Sequence, residues 1–417
     1  MFNHHDITRD AVQLDGKLAS CGYDWWWHSF TGHDARTGEE KSFFIEFFLC
    51  NPALGGEKPI LGQHPSARRE KRRPSYLMVK AGAWGADAAQ IHKFYGWKRI
   101  YVDRDTPFSI QAGDCYLTEN ATRGIVRVTD EEASRHPEWM CKGGSMSWSL
   151  LIDKKVSFNA GYLPMFWHAE GMKTEYRGEV LWNGRRFIIS PKNCNGYADK
   201  SWGSDFTSPR IWLSSCNLRS EKKGTRLRNS VFDIGGVRPK IGPFALKRRL
   251  LSAFWYEGRG FEFNFSKFWT FCRTKFSCRE TRTHIVWHVE QRTLFNRMVT
   301  DISCRKNTML LMNYESPDGA RRYRKLWNGG TGSGKIQLYR FGKLVDSIIA
   351  TNVGCEYGEY NLTLPSNKGG TIRRGRKAEE SPDRKGRSAA ESAGRGNLGK
   401  AVTENNRRKQ GSRLRQG

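Results

Sequence analysis

Residues 193–217 read NCNGYADKSWGSDFTSPRIWLSSCN, and the periodicity of this stretch decides the fold. Tyr197, Asp199 and Ser201 alternate with Ala198, Lys200 and Trp202. Beyond a turn-rich connection at 203–209, Trp212, Ser214 and Cys216 alternate with Leu213, Ser215 and Asn217. A repeat of two is the signature of a strand. The segment therefore reads as two strands joined by a glycine- and proline-containing turn, with rings and carboxylates gathered near one loop. Residue types alone leave two readings open: an aromatic sheet edge packed for stability, or an acid set among rings for chemistry.

Outward from there the same texture continues. CGYDWWWHSF and KSFFIEFFLCNP, within 21–52, are aromatic runs joined by a polar, glycine-containing linker, a hairpin pattern. In the second run Phe44 and Phe48 flank Glu46 on one face, while Phe43, Ile45 and Phe47 occupy the other. A carboxylate in that setting either has a raised pKa or faces water at a sheet edge, and the edge position is the expectation. A Gly/Pro/Arg-rich loop at 53–74 precedes strands near 75–85 and 97–102, with a short helical piece expected at 87–94. Thr129 followed by Glu132 is a capping box, predicting one or two helical turns before Pro137. Asn183-Gly184 marks a tight hairpin at 180–189, and further strands follow at 253–265, 283–291, 307–316 and 335–349.

Short strands with Gly and Asn turns define an all-β chain of sandwich or barrel type. The expectation is mainly β, with two antiparallel barrel-like halves at 1–190 and 191–362 and a tail at 363–417. From 366 to 417 the sequence holds 15 Lys/Arg against 5 Asp/Glu, a net +10 of the chain's +28. With almost no large apolar residues, this tail cannot bury a core and is expected to be disordered. The remaining basic surface suits an anionic membrane, contacted peripherally, or has no dedicated partner. Specific nucleic-acid binding is not expected, because stacking needs rings interleaved with the basic residues and the tail has none. No stretch approaches the roughly 20 apolar residues of a membrane span. The ten cysteines are scattered without CxxC pairs or Cys/His clusters of zinc spacing, so they read as reduced thiols of a cytoplasmic protein.

Two motifs invite over-reading. Gly329–Lys335 (GGTGSGK) nearly matches a phosphate-binding loop, but Ile336 follows where Ser or Thr is needed, and IQLYRF alternates as a strand. It reads as a glycine hairpin loop. His284 and His288 lie four apart on a strand-like run with no carboxylate or cysteine pattern beside them, so no metal site is expected.

The run at 196–217 resembles the hallmark segment of tocopherol cyclase-like proteins, in which a Tyr-Ala-acid-Lys-x-Trp-Gly run is followed by an aromatic strand ending in Cys-Asn. GEVLWNGRRFII (178–189) is similar to the family's preceding hairpin, LLSAFWYEGRGFEFNFSKFW (250–269) to its following hairpin, and VGCEYGEY (353–360) to its end. The resemblance covers roughly residues 20–360 and is of the bacterial type. Asp199 stands where the plant-type pattern has Glu, which keeps the acid but shortens it.

That resemblance implies paired lipocalin-like domains and the closure of a prenylated quinol to a chromanol. Such a reaction needs an acid to protonate the prenyl double bond, aromatic faces to stabilise the cation, and a base for the ring hydroxyl's proton. No redox change occurs, so no cofactor is implied. Asp199 is the implied acid, with Asp205 and Glu46 behind it, and Tyr197 is placed to orient the quinol hydroxyl. Trp202, Trp212, Trp255 and Tyr256 are candidate walls, with Asn217 beside them. The ligand is then an apolar prenylated aromatic or other isoprenoid. Two alternatives share these features: a lipocalin-like carrier of an apolar small molecule, and a hydratase in which water captures the same cation.

Overall fold

The structure, a computed structural model, describes residues 2–360 apart from 4–6, 55, 63, 106–107, 160–166, 205–209, 238–239, 242–243, 246–248 and 320–322. The tail expected at 363–417 lies outside the described residues. Residues 1–364 cluster as one compact unit. Its short helices are α1 (Ile7–Asp10), α2 (Leu18–Cys21), α3 (Pro65–Arg69) and α4 (Asp130–Arg135).

The first sheet holds β1 (Tyr23–Asp34), β2 (Glu40–Cys50), β3 (Tyr76–Trp84), β4 (Ala89–Tyr95), β5 (Ile100–Asp103), β6 (Ser109–Ala112), β7 (Cys115–Thr118), β8 (Ala121–Val128), β9 (Gly144–Phe158), β10 (Trp167–Trp182), β11 (Arg185–Ile189) and β12 (Tyr197–Gly203). Its order is β4-β3-β2-β1-β11-β10-β9-β8-β7-β6-β5, with β12 bridging β1 and β10. β4 packs against β8, which rounds the sheet into a small barrel.

The remaining strands are β13 (Arg210–Ser215), β14 (Asn217–Ser220), β15 (Val231–Val237), β16 (Lys240–Ile241), β17 (Phe244–Ala245), β18 (Arg249–Tyr256), β19 (Arg259–Phe263), β20 (Arg273–Glu280), β21 (His284–Arg292), β22 (Asn296–Arg305), β23 (Leu310–Met312), β24 (Tyr323–Arg340) and β25 (Lys343–Tyr360). All but β16 and β17 form a second antiparallel sheet, ordered β19-β18-β15-β13-β25-β24-β22-β21-β20, that curls into a half-barrel. The mainly-β expectation holds, but the second half stays open.

Local expectations fare unevenly. Thr129 caps α4 by accepting the Glu132 N–H at 3.0 Å. The Asn183-Gly184 turn has both φ values positive, as a two-residue hairpin requires. The helical piece expected at 87–94 is instead the edge strand β4, because pairing with β3 satisfies its backbone groups. The glycine run at 329–335 is not a loop. It lies inside β24, where register shifts between Gly329, Gly332 and Gly334 bend the strand. β12 pairs with β1 and β10 of the first sheet, and β13 with β15 and β25 of the second.

The central strands are buried on both faces. On β1, Trp26 and Phe30 point into the barrel core, while Trp25 and Trp27 point into a seam against the half-barrel. On β2, Phe43, Ile45, Phe47 and Leu49 take the barrel side, and Phe44 and Phe48 the seam. Tyr314, Met312, Leu326 and Trp212 meet them from the other half. Each such side chain contributes about 1.5–3 kcal/mol of burial. The aromatic surplus is thus shared between the barrel core and the seam.

Part of that lumen is polar. Lys154 Nζ lies 2.6 Å from Glu119 and from Glu170 and 3.5 Å from Asp10, whose carboxylate also meets His168 Nδ1 at 2.9 Å. Lys200 is ion-paired with Asp24, and both are fully buried.

Candidate functional site

The seam face of the first sheet carries a row of side chains set by register. His92 of β4 stands opposite Lys80 of β3, Lys80 opposite Glu46 of β2, Glu46 opposite Trp27 of β1, and Trp27 opposite Asp199 of β12. Adjacent strands are about 4.8 Å apart, so Glu46 and Asp199 are separated by roughly 10 Å with Trp27 between them.

Asp199 ends this row and is 5% exposed. Trp167 Nε1 donates to its Oδ2 at 2.8 Å, and the Tyr197 hydroxyl lies 3.2 Å from the same oxygen. That hydroxyl is also 3.0 Å from Oδ2 of Asp233 on β15. Trp212 Nε1, from β13, donates to the other Asp233 oxygen at 3.1 Å. Alternation along β12 puts Tyr197 and Asp199 on one face, and the pairing of Ser214 with Asp233 brings the second carboxylate to meet them. Behind Tyr197, the Tyr176 hydroxyl donates to the Tyr197 carbonyl at 2.9 Å and lies 3.0 Å from His28 Nδ1. Since Tyr176 has one hydrogen to give, His28 donates from Nδ1.

The proton count of this group follows from geometry. A tyrosine hydroxyl carries a single hydrogen, yet this one contacts a carboxylate oxygen on either side. Two ionised carboxylates there would leave one bare oxygen–oxygen contact, so one of them is protonated and donates to the phenolic oxygen. Electrostatics agree. Burial lifts Asp199 to about 7 against the Trp167 hydrogen bond and the charge of Arg210, which pull it down. Burial, and then the charge of Asp199, push Asp233 well above the carboxylate range. Burial and the two carboxylates likewise raise Tyr197 well above the phenol range.

Tyr197 and Trp212, with ring centroids 4.9 Å apart, line a narrow cleft of about 20 Å³ between the halves. Trp84 and Met172 complete its apolar wall, and Thr31, Asn195, Ser214, Ser215 and Asn352 its polar one. Gly354 and Gly330 also line it. A Cβ on Gly354 would stand 2.2 Å from Trp212 Cη2, and one on Gly330 2.2 Å from Trp84 Cε3, so both indoles rest on bare backbone.

Other expected site residues fall elsewhere. Trp202 does not wall the Asp199 site, because alternation sends it to the opposite face, where Arg9 and Lys200 sit over its ring at 5.2 and 4.9 Å. Trp255 packs on Phe2 at 5.4 Å, and Tyr256 donates to Asp346 at 3.0 Å; neither lines the cleft. Asn217 acts one step behind it, donating at 2.6 Å to Asn352 on the rim. Asp205 lies outside the described residues.

Glu46 is not at a water-facing edge. It is fully buried, accepts from the Tyr314 hydroxyl at 2.7 Å, and lies 3.3 Å from Lys80, whose ammonium sits 3.8 Å from the Tyr314 ring centroid. Burial raises Glu46 and lowers Lys80. With a cation already at its side, Glu46 forms a structural pair rather than a free acid.

Asp233, Trp167, Tyr176 and His28 escaped the sequence reading of the site. Asp233 carries the signal that marked Glu46, a lone carboxylate in an apolar strand (VFDIGG).

No family model matches the chain, and no curated protein matches it. Among solved structures it is similar to an AttH candidate from Nitrosomonas europaea, at 13% identity over 81% of this chain and 92% of that one, with a TM-score of 0.43. It is similar also to kievitone hydratase from Nectria haematococca, at 10% identity over 84% of this chain and 94% of that one, with a TM-score of 0.41. Both are likenesses of fold.

Proposed function

We propose that this protein is a general-acid enzyme of isoprenoid chemistry, which protonates a double bond of a prenylated quinol or related isoprenoid and lets a hydroxyl of the same molecule close on the cation. The observation that carries this reading is the single tyrosine hydroxyl held between two buried carboxylates. Such a unit stores a proton near neutral pH and has a place to receive one back.

The two aspartates differ in environment, and that difference divides the roles. Asp233 holds its proton and passes it through Tyr197. The phenolic O–H bond breaks toward the alkene carbon as the Asp233 proton moves to the phenolic oxygen, so no free phenolate forms. The faces of Trp212, Trp84 and Tyr197 stabilise the tertiary cation. The quinol oxygen then bonds to the cationic carbon, and its proton goes to Asp199. As it stands the cleft holds about one water, so it must widen for the reacting end of the substrate to reach Tyr197, with the remaining prenyl chain outside.

Hydration is the second reading, favoured by the hydroxyl and amide groups on one cleft wall, which suit a bound water.

Incubation with a prenylated quinol in D₂O tests both readings. Cyclisation yields an isomer of the substrate carrying one non-exchangeable deuterium, and hydration yields an alcohol that takes ¹⁸O from labelled water. Tyr197→Phe abolishes either reaction while retaining ligand binding. A wild-type protein that binds the quinol tightly and never incorporates deuterium is a carrier, and the proposal fails.

A further inference from the structure

Far from the cleft in sequence, two histidines and a glutamate converge. His64 Nε2 lies 3.6 Å from Glu138 Oε1, and His136 Nδ1 lies 3.1 Å from the same oxygen. The three donor atoms all fall within 4.8 Å of one another. We propose that His64, His136 and Glu138 bind a late first-row divalent transition ion, with Zn²⁺ the natural occupant.

Zinc bonds to imidazole nitrogen and carboxylate oxygen are about 2.0–2.2 Å, which places neighbouring ligands of a tetrahedral ion roughly 3.3–3.5 Å apart. Two of the three donor separations here already bracket that value. Two imidazoles and one carboxylate are a recognised zinc donor set and leave a fourth position for water. The side chains are 32%, 35% and 26% exposed, so an ion can enter.

Each donor is held by its own element. His64 precedes Pro65 at the start of α3, and the proline ring keeps it extended (φ −64°, ψ 128°). His136 closes α4 and stacks flat on Trp139, with centroids 4.0 Å apart and planes 8° apart. Glu138 sits in the 3₁₀ turn Pro137–Trp139, whose position is fixed by Asn313 Nδ2 donating to its carbonyl at 2.6 Å. The nearby cations have acidic partners: Arg68 meets Glu315 at 3.9 Å and Arg135 meets Glu131 at 3.5 Å. Trp139 in turn packs on Phe94 at 4.9 Å and His92 at 5.9 Å. The ion would therefore clasp the 64–69 turn to the 130–139 segment over the edge strand β4. His64 lies too far in sequence from His136 for any spacing motif, which is why the sequence predicts no metal site.

The test uses the full chain, stripped by chelator and titrated with Co²⁺ and Zn²⁺. One equivalent of Co²⁺ should produce the ligand-field bands of a four- or five-coordinate ion, and saturating Zn²⁺ should raise the melting temperature by several degrees. Both effects should disappear in His64→Ala and in the near-isosteric Glu138→Gln, and persist in His288→Ala. His4 and His5, consecutive in the sequence, are the rival ligands. Bands that survive His64→Ala but vanish when His4 and His5 are replaced overturn the proposal, as does a wild-type protein with neither bands nor a melting shift.

Discussion

Asp199 and Asp233 give the sharpest expectations. Asp199→Asn keeps the shape and the Trp167 contact but removes the group that takes the proton back, and Asp233→Asn removes the one that gives it. Each should lower turnover of a prenylated quinol by on the order of 100-fold or more, with ligand affinity little changed. Wild-type turnover in either variant sinks the assignment. Stability supplies an independent check. Asp199 moves from 3.8 to about 7 on folding. Below pH 3.8 both states hold the proton. Between there and pH 7 the unfolded chain releases it and the folded chain does not, so the contribution to stability is lost as pH rises through that window. Asp199→Asn has no such proton. Denaturant titrations between about pH 4 and 7 should show the variant gaining on wild type, by on the order of a few kcal/mol at the upper end. A pH-independent difference would mean that Asp199 titrates normally.

At the scale of elements, the cleft depends on strands that leave room for rings. Gly354 of β25 lies beneath Trp212 of β13. Gly354→Ala should push the indole off its hydrogen bond to Asp233, costing about 1–3 kcal/mol of stability and more activity than that loss explains. A crystal structure of the variant with Trp212 unmoved would refute this. The same strands show what was legible in the sequence. A period of two correctly put Tyr197 and Asp199 on one face, and that very period excluded Trp202, which the family-like run had drawn in by proximity. Glu46 could not be placed, because the partner that buries it, Lys80, belongs to the next strand and is known only through register. Asp233 and Trp167 reach Asp199 across long sequence separations, by pairings that no local pattern encodes. Strand identity is local information; which strands meet is not.

For the whole molecule, the barrel core, half-barrel core and seam all lie within residues 1–360. Deleting 366–417 should therefore leave the melting temperature and any turnover unchanged, since that composition adds no buried surface. A fall of several degrees in a thermal melt of the truncated chain would show that the tail contributes to the fold.

The two-faced burial of β1 and β2 has a consequence for how the chain is made. A ribosome delivers β1–β12 first, and the strands that cover Trp25, Trp27, Phe44 and Phe48 follow only with residues 210–360. At about 5–20 residues per second that interval lasts roughly ten to thirty seconds. During it the nascent first barrel displays a sticky aromatic flank carrying a buried-type ion pair, Glu46 with Lys80, in open water. The early domain is born with the surface of an unfinished complex, and its second half serves as its own intramolecular chaperone.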